Sequence, residues 1–190
     1  CLPLEPMKEL IKKYPDTLFV IDEAYAEFSG ESFIPWINAV DNLVVLRTFS
    51  KSFGLAGLRI GAVVGPLEVI ETILKIRSPY SVGNVSLIAL EAALDDLDSM
   101  NDYVKEVLEN RQMLREEFGA LGLDCPDSKA NFVLIRTTDR GLTPEELWQQ
   151  LKDKGILTRL KTNHPLMKDY LRITVGTRKQ CAKLLDAVKS

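Results

Sequence analysis

The chain has 190 residues, of which 46% are hydrophobic and 27% are charged, and its formal net charge is −3. This is the balance of an ordinary globular protein, and the length suits one large domain or two small ones. The small negative charge gives no basic field for nucleic acid or an anionic membrane, and no apolar run is long enough to cross a bilayer. The three cysteines are scattered and the histidine is single, which argues against a disulfide framework or a zinc site and favours a cytoplasmic location.

The first half of the sequence predicts helices that alternate with short strands. Residues 4–14 have the pattern of an amphipathic helix, and a further helix is expected after Gly65-Pro66, through about Arg77. Polar or helical segments, rather than hairpin turns, separate the apolar runs, so we expect a mostly parallel α/β sheet. Three runs have the character of strands buried on both faces: Thr17–Ile21, Leu43–Leu46 and Ile60–Val64.

The second half predicts an α+β module. Thr143 and Pro144 predict the start of a helix, as the N-cap and the first helical residue. The other predicted helices are Val85–Leu97, Asn101–Leu121 and one from about Lys179. Short strands are expected at Asn131–Ile135, Ile156–Arg159 and Tyr170–Val175.

The segment with the most chemical content is Thr48–Gly61, TFSKSFGLAGLRIG, which directly follows a predicted buried strand. Its small residues let the backbone approach a ligand closely. Ser50 offers a hydroxyl and Arg59 a planar fork of donors, and both suit a phosphate. Lys51 lies between them and can act as a covalent catalyst through its neutral amine. The alternative for this segment alone is a surface lysine in a glycine-rich loop.

A second segment, Ile21-Asp22-Glu23-Ala24-Tyr25, places an acid at the end of another predicted strand. Ligands of open α/β sheets collect at the carboxyl ends of strands. A carboxylate there can pair with the protonated nitrogen of a bound cofactor's pyridine ring. The Tyr25 hydroxyl can donate a hydrogen bond to an oxygen on the same ring. The alternatives are a helix N-cap for Asp22 and a packed aromatic ring for Tyr25. Glu23 is expected to be structural or to support the site.

These motifs resemble those of a known family. Thr48-Phe-Ser-Lys-Ser-Phe-Gly-Leu-Ala-Gly57 resembles the lysine signature of class II pyridoxal-phosphate aminotransferases. Asp22-Glu-Ala-Tyr25, Arg59-Ile-Gly61 and Tyr170-Leu-Arg-Ile-Thr-Val-Gly-Thr177 resemble histidinol-phosphate aminotransferases in particular. The resemblance extends over nearly the whole chain.

The resemblance implies the cofactor pyridoxal phosphate and a role for each candidate residue. Lys51 would hold the cofactor covalently and shuttle a proton. Asp22 would pair with the pyridine nitrogen and Tyr25 with the ring oxygen. Ser50 and Arg59 would bind the cofactor phosphate, with the Thr48 hydroxyl a weaker candidate.

Two further arginines gain a role only from the resemblance. Arg172 matches the arginine that binds the substrate carboxylate, and Arg159 matches one that helps to bind the acidic end of the substrate. From the residues alone, both are surface arginines on short strands. Alternation places Arg172 on the opposite face from Leu171 and Ile173.

The resemblance also implies how the chain is organised. Residues 1–97 would be the C-terminal part of the large pyridoxal-phosphate-binding domain of a fold-type I aminotransferase, and residues 98–190 the small C-terminal domain. The first half of the family's chain has no counterpart here, including a helix N-terminus that binds the cofactor phosphate and several strands. We therefore expect an unpaired sheet edge, an uncovered apolar face, self-association, and little activity from this chain alone.

The implied activity is transfer of an amino group between glutamate and a 2-oxo acid or phosphorylated ketone, as in histidinol-phosphate aminotransferases. Amino acids and oxo acids would be the substrates, and the parent protein would be a homodimer. A threonine-phosphate decarboxylase-like enzyme and an aminotransferase for aromatic or other amino acids remain alternatives. So do an inactive piece and a non-enzymatic module of a transcription regulator, the latter weakened because the chain contains no DNA-binding segment.

Overall fold

The computed structural model describes residues 2–160 and 164–189. The chain forms two compact units, Cys1–Asn101 and Asp102–Ser190. They divide within helix α5 (Leu97–Ala120), near the boundary predicted between residues 97 and 98. The assignment of these units to the family's large and small domains stays a prediction. Within the described residues, none of the helices combines the length and the apolar content that crossing a membrane requires.

The first unit contains a three-stranded sheet and several helices. Its elements are α1 Leu4–Lys13, β1 Phe19–Asp22, α2 Ala26–Ser29, β2 Leu43–Thr48, β3 Gly61–Val64, α3 Leu67–Ile76 and α4 Asn84–Asp95. Each predicted element of this half is present, with its ends displaced by a few residues at most.

The sheet has the order β1-β2-β3, and only one of its two pairings is parallel. β1 and β2 are parallel, whereas β2 and β3 are antiparallel. The predicted mostly parallel sheet is therefore only partly correct for the described strands. The connection from β2 to β3 contains a single 3-10 turn, Ala56–Leu58, and no crossover helix, so the chain returns beside β2 in the opposite direction.

One face of this sheet is covered by α1 and by the segment after α2. Ile11 of α1 is completely buried and packs with Leu43 and Val45 of β2, together with Phe33 and Ile37. An apolar cluster of this kind contributes to folding in proportion to the area removed from water. It fixes the position of β1 and β2 from one side.

The other face of the sheet is partly open. The prediction of strands buried on both faces is confirmed for Leu43–Val45 of β2 but is wrong for β1 and β3. Val20 of β1 is 54% exposed and Val63 of β3 is 43% exposed. Both lie at a cavity of about 430 Å³ that separates this face from Val69 and Ile73 of α3. Among the described strands, β1 and β3 each pair only with β2. The expected uncovered apolar face and open sheet edges are therefore present.

Helices α3 and α4 have no buried residue, although their sequences are rich in apolar side chains. Isolated apolar side chains on a surface are normal, but this many on two helices is unusual for a protein surface. The large apolar side chains exposed here are Leu67, Leu74, Ile76, Tyr80, Val85, Leu87, Ile88, Leu94 and Leu97.

The second unit is the predicted α+β module. Most of α5 belongs to it, followed by β4 Phe132–Arg136, α6 Pro144–Asp153, β5 Arg159–Leu160, β6 Tyr170–Thr174 and α7 Arg178–Lys189. The sheet order is β4-β6-β5 and both pairings are antiparallel. Helix α5 begins earlier than predicted, at Leu97, and β5 has two residues instead of four.

Local sequence signals account well for this unit. The Thr143 hydroxyl accepts a hydrogen bond from the Glu146 amide, and the Glu146 carboxylate accepts one from the Thr143 amide, which together form a capping box. On the sheet, Leu171 and Ile173 of β6 are buried and Arg172 between them is not, as alternation predicted. The start of α6 and the faces of β6 are therefore confirmed.

Candidate functional site

Three chain segments meet where the strands of the first sheet end. Asp22 at the end of β1 lies opposite Leu46 of β2, so the carboxyl ends of these parallel strands lie at one edge of the sheet. β3 begins at the same edge, because Gly61 lies opposite Thr48. The register therefore brings the Asp22 segment and both ends of the Lys51 loop to one place, where α/β sheets bind their ligands.

The loop that carries Lys51 is closed at its base and turns sharply at its tip. The Phe49 amide donates to the Ile60 carbonyl at 3.3 Å, and the Leu55 amide donates to the Phe49 carbonyl at 3.1 Å. The Gly54 amide donates to the Lys51 carbonyl at 3.2 Å, and Gly54 has a φ of 68°, which a residue with a side chain rarely adopts. Hydrogen bonds within the loop thus fix the backbone at Lys51.

Lys51 and Tyr25 are neighbours in space. The Lys51 Nζ atom lies 5.9 Å from the centre of the Tyr25 ring, and both residues are half-buried. Asp22 is exposed, and its Oδ1 atom accepts a hydrogen bond from the Ala24 amide at 3.0 Å. α2 begins at Ala26 with Tyr25 in the N-cap position, so the alternative of an N-cap role for Asp22 is wrong. Asp22 instead stabilises the turn that leads from β1 to Tyr25.

The two residues expected to bind the cofactor phosphate, Ser50 and Arg59, lie on the Lys51 loop. The Ser50 amide donates to the Thr48 hydroxyl at 3.2 Å. Arg59 is exposed, and its Nη1 atom donates to the Ala56 carbonyl at 3.1 Å. Arg59 is also the only residue other than glycine with a positive φ, 54°, among the described residues. Such strain in a bulky residue is enriched at functional sites.

Close packing requires a glycine at position 61, two residues after Arg59. A Cβ atom at this position would lie 2.8 Å from the Arg47 carbonyl oxygen of the paired strand. A side chain there would push β3 away from β2 and shift the end of the Lys51 loop. The family-like Arg59-Ile-Gly61 motif thus has a local steric reason for its glycine.

Arg47, which sequence reasoning missed, connects the two strand ends through partly buried ion pairs. Its Nη1 atom lies 3.3 Å from the Glu23 carboxylate, and its Nη2 atom pairs with Glu27. Glu23 is buried, which confirms the expectation of a structural or supporting residue. A charged residue directly after the apolar run Leu43–Leu46 was the available sign, since a buried charge requires partners.

In the second unit, the register of β5 and β6 brings together the two arginines that are candidates for substrate binding. Arg159 lies directly opposite Arg172, so both side chains project from the same face of the sheet. The Arg172 guanidinium carbon lies 3.9 Å from the centre of the Phe132 ring, a stacking contact. Arg159 is exposed. This face therefore presents two guanidinium groups from neighbouring strands.

Other chemically active groups of the described residues form no second site. No group of three or more histidine, cysteine, aspartate or glutamate side chains there could hold a metal ion. Cys125 and Cys181 are free, whereas Cys1 lies outside the described residues. Burial raises the pKa of the Cys125 thiol to about 11 and also raises the pKa of Cys181, so neither is an activated nucleophile.

The chain belongs to the aminotransferase class I and II family, whose model matches residues 1–188. It is 38% identical to the histidinol-phosphate aminotransferase of Syntrophus aciditrophicus over 99% of this chain and 52% of that protein. The chain thus spans about half the length of such relatives.

Solved structures agree with this assignment. The histidinol-phosphate aminotransferase of Sinorhizobium meliloti in complex with pyridoxal-5'-phosphate matches with a TM-score of 0.87 and 28% identity, over 98% of this chain and 52% of that one. The L-threonine-O-3-phosphate decarboxylase of Porphyromonas gingivalis matches with a TM-score of 0.87 and 25% identity, over 99% and 59%. The resemblance to this family and its pyridoxal phosphate cofactor are confirmed.

The residues at the strand ends fit the chemistry of pyridoxal phosphate. The cofactor has an aldehyde, which an amine such as that of Lys51 can attack. Its phosphate suits hydroxyl and guanidinium donors, which Ser50 and Arg59 carry. Its pyridine nitrogen and ring oxygen suit a carboxylate and a phenol, which Asp22 and Tyr25 carry. We refer to these five residues as the strand-end site.

Proposed function

We propose that the protein catalyses pyridoxal-phosphate-dependent transamination and that the strand-end site holds the cofactor. The observation that carries this proposal is the convergence of Lys51, Tyr25 and Asp22 at one sheet edge, with Lys51 Nζ 5.9 Å from the Tyr25 ring. These segments lie far apart in the sequence and become neighbours only through the register of β1 and β2. A lysine in an ordinary surface loop would have no reason to lie beside the Tyr25 ring.

Each residue of the site has a distinct task. The protonated ring of bound pyridoxal phosphate supplies an electron sink for negative charge at the substrate Cα. The Asp22 carboxylate keeps the proton on the pyridine nitrogen, and Tyr25 donates a hydrogen bond to the ring oxygen. Ser50 and Arg59 bind the phosphate. The Lys51 amine would hold the cofactor covalently and, once a substrate amine has displaced it, would be the base that moves the proton from the substrate Cα.

We propose that histidinol phosphate and glutamate are the amino donors. Their oxo counterparts are the amino acceptors. The support is the 38% identity to the Syntrophus aciditrophicus enzyme and the pairing of Arg159 with Arg172. Arg172 binds the substrate carboxylate through its planar fork, and Arg159 contributes at the acidic or phosphorylated end.

We also propose that activity requires polypeptide beyond these residues. The chain spans 52% of the Syntrophus aciditrophicus protein. The first unit exposes one face of its sheet and the apolar side chains of α3 and α4. The 190-residue chain alone should therefore self-associate and show little transamination, and the whole protein should be a cytoplasmic homodimer. Light scattering beside an activity assay tests the first two statements.

The activity test uses a chimera in which residues 1–190 are joined to the half of the Syntrophus aciditrophicus protein that this chain does not span. With histidinol phosphate and 2-oxoglutarate, we expect pyridoxal-phosphate-dependent formation of glutamate. Lys51→Ala should abolish it, whereas Lys75→Ala, which removes an exposed lysine of α3, should not. A folded chimera that binds the cofactor but forms no glutamate from any amino donor would contradict transamination.

The second candidate is a decarboxylase on the same scaffold. It is favoured by the match to the Porphyromonas gingivalis threonine-phosphate decarboxylase, whose TM-score equals that of the Sinorhizobium meliloti aminotransferase. The same chimera decides between them, because release of carbon dioxide from threonine phosphate without glutamate formation identifies the decarboxylase.

A further inference from the structure

The Glu23 carboxylate is almost completely buried, with its side chain 6% exposed, at the point where β1 ends and the Asp22–Tyr25 turn begins. A buried carboxylate is costly unless its oxygens are hydrogen-bonded. Here Oε2 accepts from the Ser32 hydroxyl at 2.7 Å and from Arg47, and Oε1 accepts from the Phe33 amide. Glu23 therefore ties the end of β1 both to β2 and to the loop after α2.

Arg47 completes the connection from the side of β2. It is the residue before Thr48, where β2 ends and the Lys51 loop begins, and its backbone is fixed by pairing with Ala62 of β3. Its guanidinium pairs with Glu23 and with Glu27 of α2, so one fork of donors binds two carboxylates. These partly buried pairs are well placed to hold a defined distance between the end of β1 and the start of the Lys51 loop.

Tyr25 lies in the chain midway between the two carboxylates that Arg47 binds. Holding Glu23 and Glu27 therefore fixes the backbone on both sides of Tyr25. The same arginine precedes the loop that presents Lys51, whose Nζ atom lies 5.9 Å from the Tyr25 ring. The ion-pair cluster of Glu23, Arg47 and Glu27 thus connects the Asp22–Tyr25 turn to the start of the Lys51 loop.

We propose that Glu23 and Arg47 are positioning residues, which hold the Asp22–Tyr25 turn in place against the Lys51 loop. This role rests on the proposed function, because it presumes that the strand-end site binds pyridoxal phosphate through Lys51. A purely structural ion pair would change stability alone. A positioning pair also changes how selectively the site captures the cofactor.

The test measures site-selective labelling of the chimera by pyridoxal phosphate, followed by borohydride reduction and peptide mass mapping. The readout is the labelling of Lys51 relative to that of Lys75, an exposed lysine of α3, together with the unfolding midpoint. In the parent, Lys51 should be labelled preferentially. In Glu23→Gln and Arg47→Lys, this preference should fall by about tenfold or more, since a displacement of about an ångström costs positioned groups up to a hundredfold.

The matched control is Ile11→Val, which removes a methylene group from the completely buried Ile11 in the same unit. It should lower the midpoint and leave the preference for Lys51 unchanged. If Glu23→Gln does not fold, Ser32→Ala is measured in its place, because this variant removes one hydrogen-bond partner of the Glu23 carboxylate.

Two results would overturn the proposal, and they differ in meaning. Folded Glu23 and Arg47 variants that keep the parental preference for Lys51 reduce the cluster to a structural role and leave the strand-end site intact. A parent chimera in which Lys51 is labelled no faster than Lys75 overturns the site and the positioning role together.

Discussion

The Lys51 Nζ atom lies 5.9 Å from the centre of the Tyr25 ring, although the two residues follow different strands. Their proximity depends on the parallel pairing of β1 and β2, with Asp22 opposite Leu46. An amine, a phenol and a carboxylate consequently share one sheet edge. Each of the residues involved can be tested separately.

Asp22→Ala should reduce the turnover number of the chimera while the protein stays folded. The carboxylate that keeps the pyridine nitrogen protonated is lost, and removal of one such preorganised electrostatic group costs roughly a hundredfold to a thousandfold. Steady-state kinetics with circular dichroism measures this, and exposed Asp16→Ala is the control. An unchanged turnover number would show that another group performs the task.

Arg172→Lys should raise the KM for glutamate by roughly tenfold to a hundredfold, because a lysine cannot form the bidentate pair worth about 1.5–3 kcal/mol. Arg159→Ala should impair histidinol phosphate more than substrates without a phosphate. Kinetics of the chimera with both substrate types measures the effects, with Arg77→Ala in the first unit as control. If both variants choose between substrates as the parent does, the two arginines are surface residues only.

Thr143→Ala should destabilise the second unit by about 1 kcal/mol, the usual cost of losing an N-cap. The Thr143 hydroxyl accepts from the Glu146 amide at 3.2 Å and has no counterpart in alanine. Urea unfolding of the 190-residue chain measures the loss. Thr138→Ala, at an exposed position, should change stability by less than about 0.5 kcal/mol. Equal effects of the two substitutions would argue against the cap.

Cys125 should react slowly with iodoacetamide near pH 8 in the folded chain and quickly after unfolding. Burial raises the pKa of its thiol from 9.0 to about 11, so little thiolate is present. The raised pKa favours the folded, protonated form below pH 9, and this stabilisation is lost as the pH rises through about 11. Peptide mapping of the alkylated chain between pH 8 and 11 follows the reaction. A folded-state rate that levels off near pH 9 would contradict the shift.

Local signals in the sequence predicted the helices, the strands and the residues of the strand-end site. The features that they could not predict depend on long-range packing. Thr143 and Pro144 determine a helix start by themselves, and Asp22 and Lys51 follow strands that are recognisable from their apolar runs. The exposure of Val20 depends instead on what covers the sheet, which no local pattern of β1 contains.

The ion-pair cluster shows the same limit. Arg47 is separated from Glu23 and Glu27 by 24 and 20 residues in the sequence, and they meet only through the β1–β2 register. The antiparallel return of β3 likewise follows from a connection that contains no crossover helix. Such features require the paired strands to be known first.

The central claim is that Lys51 carries the cofactor, and the most direct measurement is the identity of the lysine that pyridoxal phosphate labels. The chimera is incubated with pyridoxal phosphate, its absorbance near the visible edge is recorded, and the sample is reduced with borohydride, digested and mapped by mass spectrometry. We predict an absorbance band that borohydride removes and a label on the peptide that contains Lys51. A stoichiometric label on another lysine, with Lys51 unmodified, would contradict the account.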